Sequence, residues 1–549
     1  MGMSWATLGR SRLYFWLLTA PAVLYIVVWR LAPAFYTVWL SLTQYNIVYD
    51  ALPRWNHYEN FGRILRDGGL RGSLSLSVQF AVIATAAEVL IGLAVALFLD
   101  TDPPGRNLLL GIFLLPMIMA PVVVGTVWST LFDRTVGPIP YLFQVLHGPD
   151  IQWLATPATA MFALLLADAW EWAPLVALLL FAALQVLPRE QFEAARVDGA
   201  GPAGDGRVPG ARQSVHHDGR RTRHLHAVHQ HVRVQAGLPV LRAGVRVRGH
   251  HGGARRPRPG LRDVSAGLRA GAPAGRLPMT ARRRWTHLVG IALVLAWTLP
   301  PFLYLVMLSI KPERILIERS QVFFWPTFER YRDFIASGLG LPIWNSLVTS
   351  TLGSAGTLLL GGLAALTFSF LEFKGKTLLF LVILIPRMFP PITTLIPIQL
   401  MLKTLGLIDT RLALIILFTG FEIPLAIWVL RTFLDEIPRE LTESAALDGA
   451  SLPAIIARII LPLSGPGMLA AFILSFIFNW NEFLFPLIVT SFNARTGSVA
   501  MMSFTAGYKK LQWGSLATLG VVMTIPVILF VLAFRGSLIR GFTAGALKG

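Results

Sequence analysis

The sequence lacks cysteine and is poor in charged residues. None of its 549 residues is cysteine, and Asp, Glu, Lys and Arg together make up 14% of them. The absence of cysteine excludes a disulfide framework, a thiolate metal site and a cysteine nucleophile. Scarce charge beside 54% hydrophobic residues is not the composition of a soluble globule. These proportions indicate a polytopic membrane protein.

Motifs of nucleotide, metal and catalytic sites are missing too. No G-x-x-x-x-G-K-[ST] phosphate loop occurs, so no nucleotide site of that kind is expected. Eight histidines lie between positions 216 and 251, but no carboxylate or thiolate joins them at a regular spacing, so no metal site is predicted. No Ser/His/Asp or paired-carboxylate pattern stands out. We therefore do not expect an enzyme.

Long apolar runs recur along the chain, and they are continuous rather than alternating, which predicts membrane-spanning helices. Arg10 and Arg12 precede the first run, which has no evident cleavage site and is interpreted as a membrane anchor. The expected fold is an all-α polytopic membrane protein with about ten transmembrane helices, four plus six. The predicted spans are 13–32, 74–99, 108–132, 158–187, 286–310, 344–371, 377–402, 412–430, 463–490 and 515–534.

Basic residues predict the orientation of these spans. If the spans alternate within each part, one face carries all the basic clusters, and the positive-inside rule makes that face cytoplasmic. The loops 188–201 and 431–460 fall on the same face. The clusters are Arg10 with Arg12, Arg282 to Arg284, Lys374 with Lys376, and Arg535 with Arg540.

An internal repeat divides the chain into two units. "LPREQFEAARVDGA" (187–200) and "IPRELTESAALDGA" (437–450) align without a gap, and "LLPMIMAP" (114–121) matches "LIPRMFPP" (384–391). We predict a first unit over 1–201, with four spans and the start of a repeated loop. A second unit over 279–549 has six spans and a complete loop.

Each repeated loop has the pattern of a short helix that ends at glycine. Gly199 and Gly449 supply the positive φ of a helix end, and Asp198 and Asp448 can bond local backbone. After the second copy a further helix is predicted, which makes a helix-turn-helix that could dock into a partner's groove. One face of that helix carries Ile455, Ile456, Ile459 and Ile460.

The pattern E-A-A-x-x-D-G-A resembles the coupling loop of binding-protein-dependent ABC importer permeases. "FNWNEFLFPL" (478–487) and "GFTAGALKG" (541–549) resemble the second permease of maltose-type systems, and "LADAWEWAPLVALLLFAALQVLP" (166–188) resembles the first. Ser444 replaces the usual alanine of the motif. The matching residues are Glu193, Ala194, Ala195, Asp198, Gly199 and Ala200 in the first copy, and Glu443, Ala445, Asp448, Gly449 and Ala450 in the second.

The resemblance implies a division of labour between several proteins. The permease takes the type I importer fold in a bacterial inner membrane and holds no cofactor, since ATP and Mg bind the partner ATPase. Each coupling helix sits in a cleft of a cytoplasmic ABC ATPase dimer, whose closure drives alternating access. An extracytoplasmic solute-binding protein delivers the carbohydrate. This chain would then be the transporter's membrane subunit.

Ionisable and polar groups inside spans are candidates for the substrate path because their burial in a membrane is costly. Aromatic rings beside polar acceptors are typical of a sugar path. The alternative is that these groups only pair across helices or lie near an interface. The candidates are Asp168, Trp170 and Glu171 in the first unit, and Asn479, Trp480, Asn481 and Glu482 in the second.

The segment 202–278 differs in composition from the rest. Residues 203–278 contain fifteen Arg and three Asp but no Ile, Phe, Trp, Tyr, Met, Lys, Asn or Glu. Where the second copy predicts an apolar residue, Ile, Leu and Pro, the first has Gly206, Pro209, Ala211 and Arg212. Our hypothesis is a frameshift near 202 that replaced the last two spans of the first unit. The alternative is a basic linker, disordered by composition.

Three other functions fit parts of the sequence. An ABC permease for a polyol or glycerol phosphate differs only in substrate. A membrane-tethered nucleic-acid-binding or scaffold protein would use the basic segment, and it predicts salt-sensitive DNA binding. It leaves both repeated loops unexplained, so no nucleic acid partner is expected. An ion-driven transporter with inverted repeats conflicts with the shared orientation of the two units.

The frameshift hypothesis predicts the neighbouring reading frame. "HHDG" (216–219) requires CAY-CAY-GAY-GGN, which one base later encodes Ile or Thr and then Met or Thr twice. We expect resequencing of the locus to reveal an apolar, Leu-Pro-containing segment in that frame. A confirmed sequence whose adjacent frame encodes no such segment would refute the frameshift.

Overall fold

A computed structural model describes residues 12–46, 49, 52–186, 281–316, 323–504 and 512–546. The basic segment and the first repeated loop lie outside these residues. Almost all of the described chain is helical. The strands described are those of one hairpin, in which β1 (Thr43–Gln44) pairs antiparallel with β2 (Arg54–Trp55), and loops and turns join the helices.

The helices of the first unit begin with α1, which continues through a π-helical turn at Val27–Leu31 into α2. In chain order they are α1 (Arg12–Ile26), α2 (Ala32–Ser41), α3 (Glu59–Arg66), α4 (Gly68–Asp100), α5 (Arg106–Phe113), α6 (Pro121–Phe132), α7 (Pro138–Val145) and α8 (Pro157–Val186).

The described part of the second unit contains five long helices joined by shorter ones. Its helices are α9 (Ala281–Ile310), α10 (Glu329–Ala336), α11 (Gly340–Phe370), α12 (Lys376–Leu384), α13 (Leu395–Thr404), α14 (Arg411–Leu434), α15 (Arg439–Leu447), α16 (Leu452–Ile455), α17 (Leu461–Asn481), α18 (Leu484–Val489), α19 (Gly497–Met502) and α20 (Trp513–Ala546). The five long helices are α9, α11, α14, α17 and α20.

The described residues contain eight helices long and apolar enough to span a membrane, or nine if one bent pair counts as a span. This number among the described residues fits the predicted fold of about ten transmembrane helices. The run 108–132 is not one helix, because it breaks between α5 and α6, where Pro116 and Pro121 interrupt it, and α6 has only 12 residues. The all-α polytopic fold itself is confirmed.

The corresponding run of the second unit, 377–402, is also broken. The segments Lys376–Met388 and Pro391–Thr404 meet at 91°, because Pro390 and Pro391 cannot continue the helix. The span predicted at 463–490 is displaced as well. It begins at Leu452 and ends at Asn481, since a π-helical turn at Ile456–Ile460 joins α16 to α17 without a break.

The second unit is held together by a face of small residues on α11. A Cβ on Gly353 would lie 2.7 Å from the Cβ of Phe418 on α14. The Thr357 hydroxyl donates to the carbonyl of Thr419 (3.1 Å), and the Thr419 hydroxyl donates to the carbonyl of Gly353 (3.2 Å). Small residues let these helices approach closely, as is typical of membrane helix pairs.

The first helix of each unit packs against the other unit. Ala22 and Ile26 of α1 are buried in a cluster with residues of α11 and α14, and the Tyr25 hydroxyl donates to the carbonyl of Ile416 (2.9 Å). The first helix of the second unit, α9, likewise packs against the first unit. The Tyr304 hydroxyl donates to the carbonyl of Val136 (2.8 Å). We call this arrangement the helix exchange.

The helix exchange predicts a specific cross-link. A Cβ on Gly420 would lie 3.5 Å from the Cβ of Trp29, which is within the range of a disulfide. We expect the double variant Trp29→Cys with Gly420→Cys to cross-link under mild oxidation, with no background because the chain has no cysteine. Mass spectrometry of unreduced peptides measures it.

The matched control is Trp29→Cys with Trp428→Cys. Trp428 is an exposed residue of the same helix, about 12 Å further along it at 1.5 Å per residue. Equal cross-linking in both pairs, or none in the first, would contradict the helix exchange.

Candidate functional site

The second repeated loop forms the helix α15 and ends as its sequence predicts. Gly449 has φ +85°. The Gly449 N–H donates to the carbonyl of Ala446 (3.1 Å), and the Ala450 N–H donates to that of Ala445 (3.0 Å). These two bonds define a Schellman motif, which closes the helix without help from the Asp448 side chain. The predicted helix end at glycine is confirmed.

One face of α15 is packed and the opposite face is exposed. Thr442 and Ala446 are buried. Glu443 and Ser444 are exposed, and Leu447 at the end of the helix is 82% exposed. A large apolar side chain on a short rigid helix is the kind of anchor that fits a partner's groove.

The isoleucines after the loop do not belong to that exposed face. Ile455 and Ile460 are buried, and Ile456 and Ile459 pack against the same core, which includes residues of α1 and α14. The predicted docking of this helix-turn-helix into a partner's groove is therefore wrong for its second helix, which is the beginning of a membrane span and packs against the protein's own core.

The start of α15 is tied to the end of α11 by an ion network. The Arg439 and Lys376 side chains lie 3.4 Å and 3.1 Å from the Glu372 carboxylate. The hydrogen bond from Lys376 is the largest of the influences that lower the pKa of Glu372. This contact also brings together two loops, 372–376 and 431–460, that the basic residues had predicted on one face.

The first repeated loop, with Glu193, Ala194, Ala195, Asp198, Gly199 and Ala200, lies outside the described residues.

A polar cavity of ≈ 180 Å³ lies inside the second unit. Asn479 and Glu482 line it together with Glu422 and Arg387. Arg387 donates to the Glu422 carboxylate (3.1 Å), and Oε1 of Glu482 accepts the backbone N–H groups of Phe483 (3.0 Å) and Leu484 (2.8 Å) at the start of α18. The cavity thus combines charged groups held by protein partners with aromatic walls.

Arg30 reaches the same cavity from the first unit. Its guanidinium donates to the carbonyls of Phe421 (2.9 Å) and Pro386 (2.8 Å) and lies 4.1 Å from the centre of the Phe421 ring. Because Pro390 has no N–H, the Pro386 carbonyl has no partner four residues on, and Arg30 supplies one. Sequence reasoning missed Arg30, since no local signal reveals contacts with residues more than 350 positions away.

The other two predicted residues of this cluster point elsewhere. Trp480 is buried in the apolar core, and its indole N–H donates to the carbonyl of Met523 (3.0 Å). The Asn481 amide donates to the carbonyl of Ile118 in the broken segment of the first unit (3.1 Å). These four consecutive residues therefore lie in three different surroundings. Asn479 and Glu482 line the cavity, Trp480 lies in the apolar core, and Asn481 contacts the first unit.

In the first unit, Asp168 and Glu171 lie on α8. Asp168 interacts with Glu88 of α4, and Glu171 is buried within electrostatic range of Asp168. Trp170 is fully buried, and its indole N–H donates to the carbonyl of Trp297 on α9 (3.1 Å). The structure brings the three acids together and places Trp170 at the contact between units.

Among the described residues, no group of three or more His, Cys, Asp or Glu side chains is arranged to hold a metal ion.

On the opposite end of the second unit, Asp409 holds the loop that follows the polar cluster. Its carboxylate accepts the backbone N–H groups of Ser491 (2.9 Å), Phe492 (3.1 Å), Asn493 (3.0 Å) and Ala494 (3.1 Å). Partial burial raises the pKa of Asp409, but the four N–H donors lower it more, to about 2.

A helical membrane protein built from two repeated units, with a short exposed helix at one end and a polar cavity within its spans, has the architecture of a transport permease. Two segments, 88–204 and 357–543, match the family model of the binding-protein-dependent transport system inner membrane component, and together they cover more than half of the chain. The chain belongs to this family. It is a multi-pass protein of the bacterial inner membrane and a transport permease rather than an enzyme.

Curated relatives correspond in length to one unit. The trehalose transport system permease protein SugB of Mycobacterium tuberculosis is 37% identical over 49% of this chain and 100% of its own length. The trehalose/maltose transport system permease protein MalG of Thermococcus litoralis is 32% identical, over 49% and 98%. The sulfoquinovosyl glycerol transport system permease protein SmoH of Agrobacterium fabrum is 30% identical, over 48% and 93%.

The Asp409 contacts predict a pH-dependent stability. Because its pKa is lower in the folded protein than the ordinary 3.8, its stabilisation is complete above about pH 4 and is lost as the pH falls toward 2. We expect Asp409→Asn to lower Tm by roughly 2–4 °C at pH 7. The difference in Tm between the Asp409→Asn protein and the unchanged protein should become smaller below pH 4.

Tryptophan fluorescence of the purified protein during heating measures this. The matched control is Asp333→Asn, an exposed aspartate of α10, which should leave Tm unchanged. Equal Tm values for Asp409→Asn and the unchanged protein at pH 7 would show that the carboxylate does not hold the loop.

Proposed function

We propose that this chain supplies the transmembrane subunits of an ATP-driven, binding-protein-dependent importer of oligosaccharides or disaccharides. The observation that carries the proposal is α15, a rigid helix that exposes Leu447 at the membrane protein's predicted cytoplasmic face. The substrate class is supported by the names of the relatives, which transport trehalose, trehalose or maltose, and sulfoquinovosyl glycerol.

The partner of α15 in this proposal is a cytoplasmic ABC ATPase dimer. Leu447 enters an apolar groove of the ATPase, and Glu443 on the same face meets its polar rim. The Schellman motif and the contact between Arg439 and Glu372 keep α15 in one orientation, so that little ordering entropy is lost on docking. ATP and Mg bind the partner, and this chain holds no cofactor.

The route from the coupling helix to the membrane interior is a single helix. The span Leu452–Asn481 starts five residues after α15 and contains 30 residues, about 45 Å at 1.5 Å per residue. Its last turn carries Asn479, and Glu482 follows its last residue; both side chains line the polar cavity. Movement of α15 with the closing ATPase therefore shifts the cavity wall, which is the basis we propose for alternating access. An extracytoplasmic solute-binding protein delivers the sugar to the opposite face.

The proposal treats the first unit as incomplete in this chain. The first family match ends at residue 204, close to position 202, whereas the second continues for some 90 residues beyond Ala450, to 543. This difference supports a frameshift near 202 that removed the last two spans of the first unit. A pair of permeases with the frame corrected is then the complete transmembrane part of the transporter.

The coupling role of α15 can be tested by co-purification. We expect Leu447→Asp to reduce the amount of ATPase retained by the tagged permease by at least about tenfold, because a charge replaces the apolar anchor in the groove. The ATPase subunit of the same organism's importer is co-expressed with the chain, and retention is measured on gels after affinity capture.

Glu436→Gln is the matched control, since Glu436 is exposed and lies before α15, and it should retain the ATPase. Full retention by the Leu447→Asp protein would exclude α15 as the docking element. Loss of retention in both variants would show that the effect is not specific to the helix.

A further inference from the structure

The polar cavity of the second unit has the size of one sugar ring. Its volume is ≈ 180 Å³, and a bound water needs about 10–15 Å³ of such volume. It therefore has room for about a dozen non-hydrogen atoms, which is the size of a hexose.

The lining of the cavity suits a polar, uncharged ring. Phe418, Phe421 and Phe478 line it. Arg30 lies over the Phe421 ring (4.1 Å to its centre) and Arg387 over the Phe478 ring (5.3 Å), so each of those two rings has at most one face for a ligand. Asn479 donates its amide N–H to the Ser354 hydroxyl (3.0 Å), which orients its oxygen as an acceptor. One oxygen of Glu482 is held by backbone N–H groups, and the other is left to accept from ligand hydroxyls. A few fixed polar groups among aromatic walls are the usual composition of a small-molecule site.

The charges of the cavity argue against an anionic ligand. Arg30 and Arg387 face Glu422 and Glu482, two cations for two carboxyl groups. Arg30 is bound to two backbone carbonyls, and Arg387 is paired with Glu422. A phosphate or sulfonate would compete with Glu422 for the Arg387 guanidinium and would face the carboxyl groups of both Glu422 and Glu482, which is unfavourable inside the protein.

We propose that this cavity binds one neutral pyranose ring of the transported carbohydrate. Glu482 and Asn479 accept hydrogen bonds from the ring hydroxyls, and Phe478 covers an apolar face of the ring. The site lies in the second unit, and the first unit closes it through Arg30. This inference rests on the proposed function for its substrate class, and it excludes glycerol phosphate at this position.

Binding to the purified full-length chain tests the site without any ATPase or binding protein. The chain in lipid nanodiscs is equilibrated with radiolabelled trehalose, maltose or glycerol 3-phosphate, and the bound fraction is measured. We expect both disaccharides to bind and glycerol 3-phosphate not to bind. Glu482→Gln should weaken binding about tenfold, the loss expected for a hydrogen bond to a charged group. Its amide oxygen still accepts the N–H groups at the start of α18, so the fold is kept.

Phe478→Leu is a second variant, which removes an aromatic wall and no polar group, and it too should weaken binding. The matched control is Thr432→Ala. Thr432 lies on the same helix as Glu422, and its hydroxyl donates to the carbonyl of Trp428 within that helix (3.2 Å). The affinity of the Thr432→Ala protein for the disaccharides should therefore be unchanged. Size-exclusion profiles identical to that of the unchanged chain show that the variants are folded.

If glycerol 3-phosphate binds as tightly as trehalose, the proposal that the ligand is a neutral ring is overturned. Failure of both disaccharides to bind, or equal affinity in Glu482→Gln, Phe478→Leu and Thr432→Ala, would overturn the site. Neither result changes the expected retention of the ATPase by α15. The co-purification experiment therefore tests the proposed transport function independently of this binding site.

Discussion

Two backbone carbonyls in the broken helix of the second unit have lost their own helix's donors, and the first unit supplies replacements. Pro390 and Pro397 have no N–H, so the carbonyls of Pro386 and Thr393 lack a partner four residues on. Arg30 donates to the first (2.8 Å) and the Thr37 hydroxyl to the second (2.8 Å). Within a membrane an unsatisfied carbonyl is costly, so the break in one unit depends on the first helix of the other.

The dependence is reciprocal at the matching break. In the first unit the broken segment leaves the carbonyl of Ile118 outside a regular helix, and the Asn481 amide of the second unit donates to it (3.1 Å). Trp170 and Tyr304 add two further bonds between the units. The proline breaks and the helix exchange therefore depend on each other. Each unit can bend a helix because the other unit satisfies the exposed backbone.

Local features of the fold could be predicted from the sequence, and contacts between distant segments could not. The repeated loop, its helix and the positive φ of Gly449 follow from neighbouring residues. The run 108–132 was predicted as one span, and only the structure shows that it has no single long helix. The isoleucines after Pro453 have helical periodicity, yet periodicity does not tell whether an apolar face meets a partner or its own protein. Arg30 and the division of residues 479–482 depend on which helices pack together.

The helix exchange also sets an order of events during synthesis. The carbonyl that Arg30 binds on Phe421 is 391 residues further along the chain. At ribosomal rates of about 5–20 residues per second, that residue is made roughly 20–80 seconds after Arg30. Throughout that interval the first helix is in or near the bilayer with a guanidinium that has not met its native acceptors. Insertion of the first helix thus precedes its native packing by that interval.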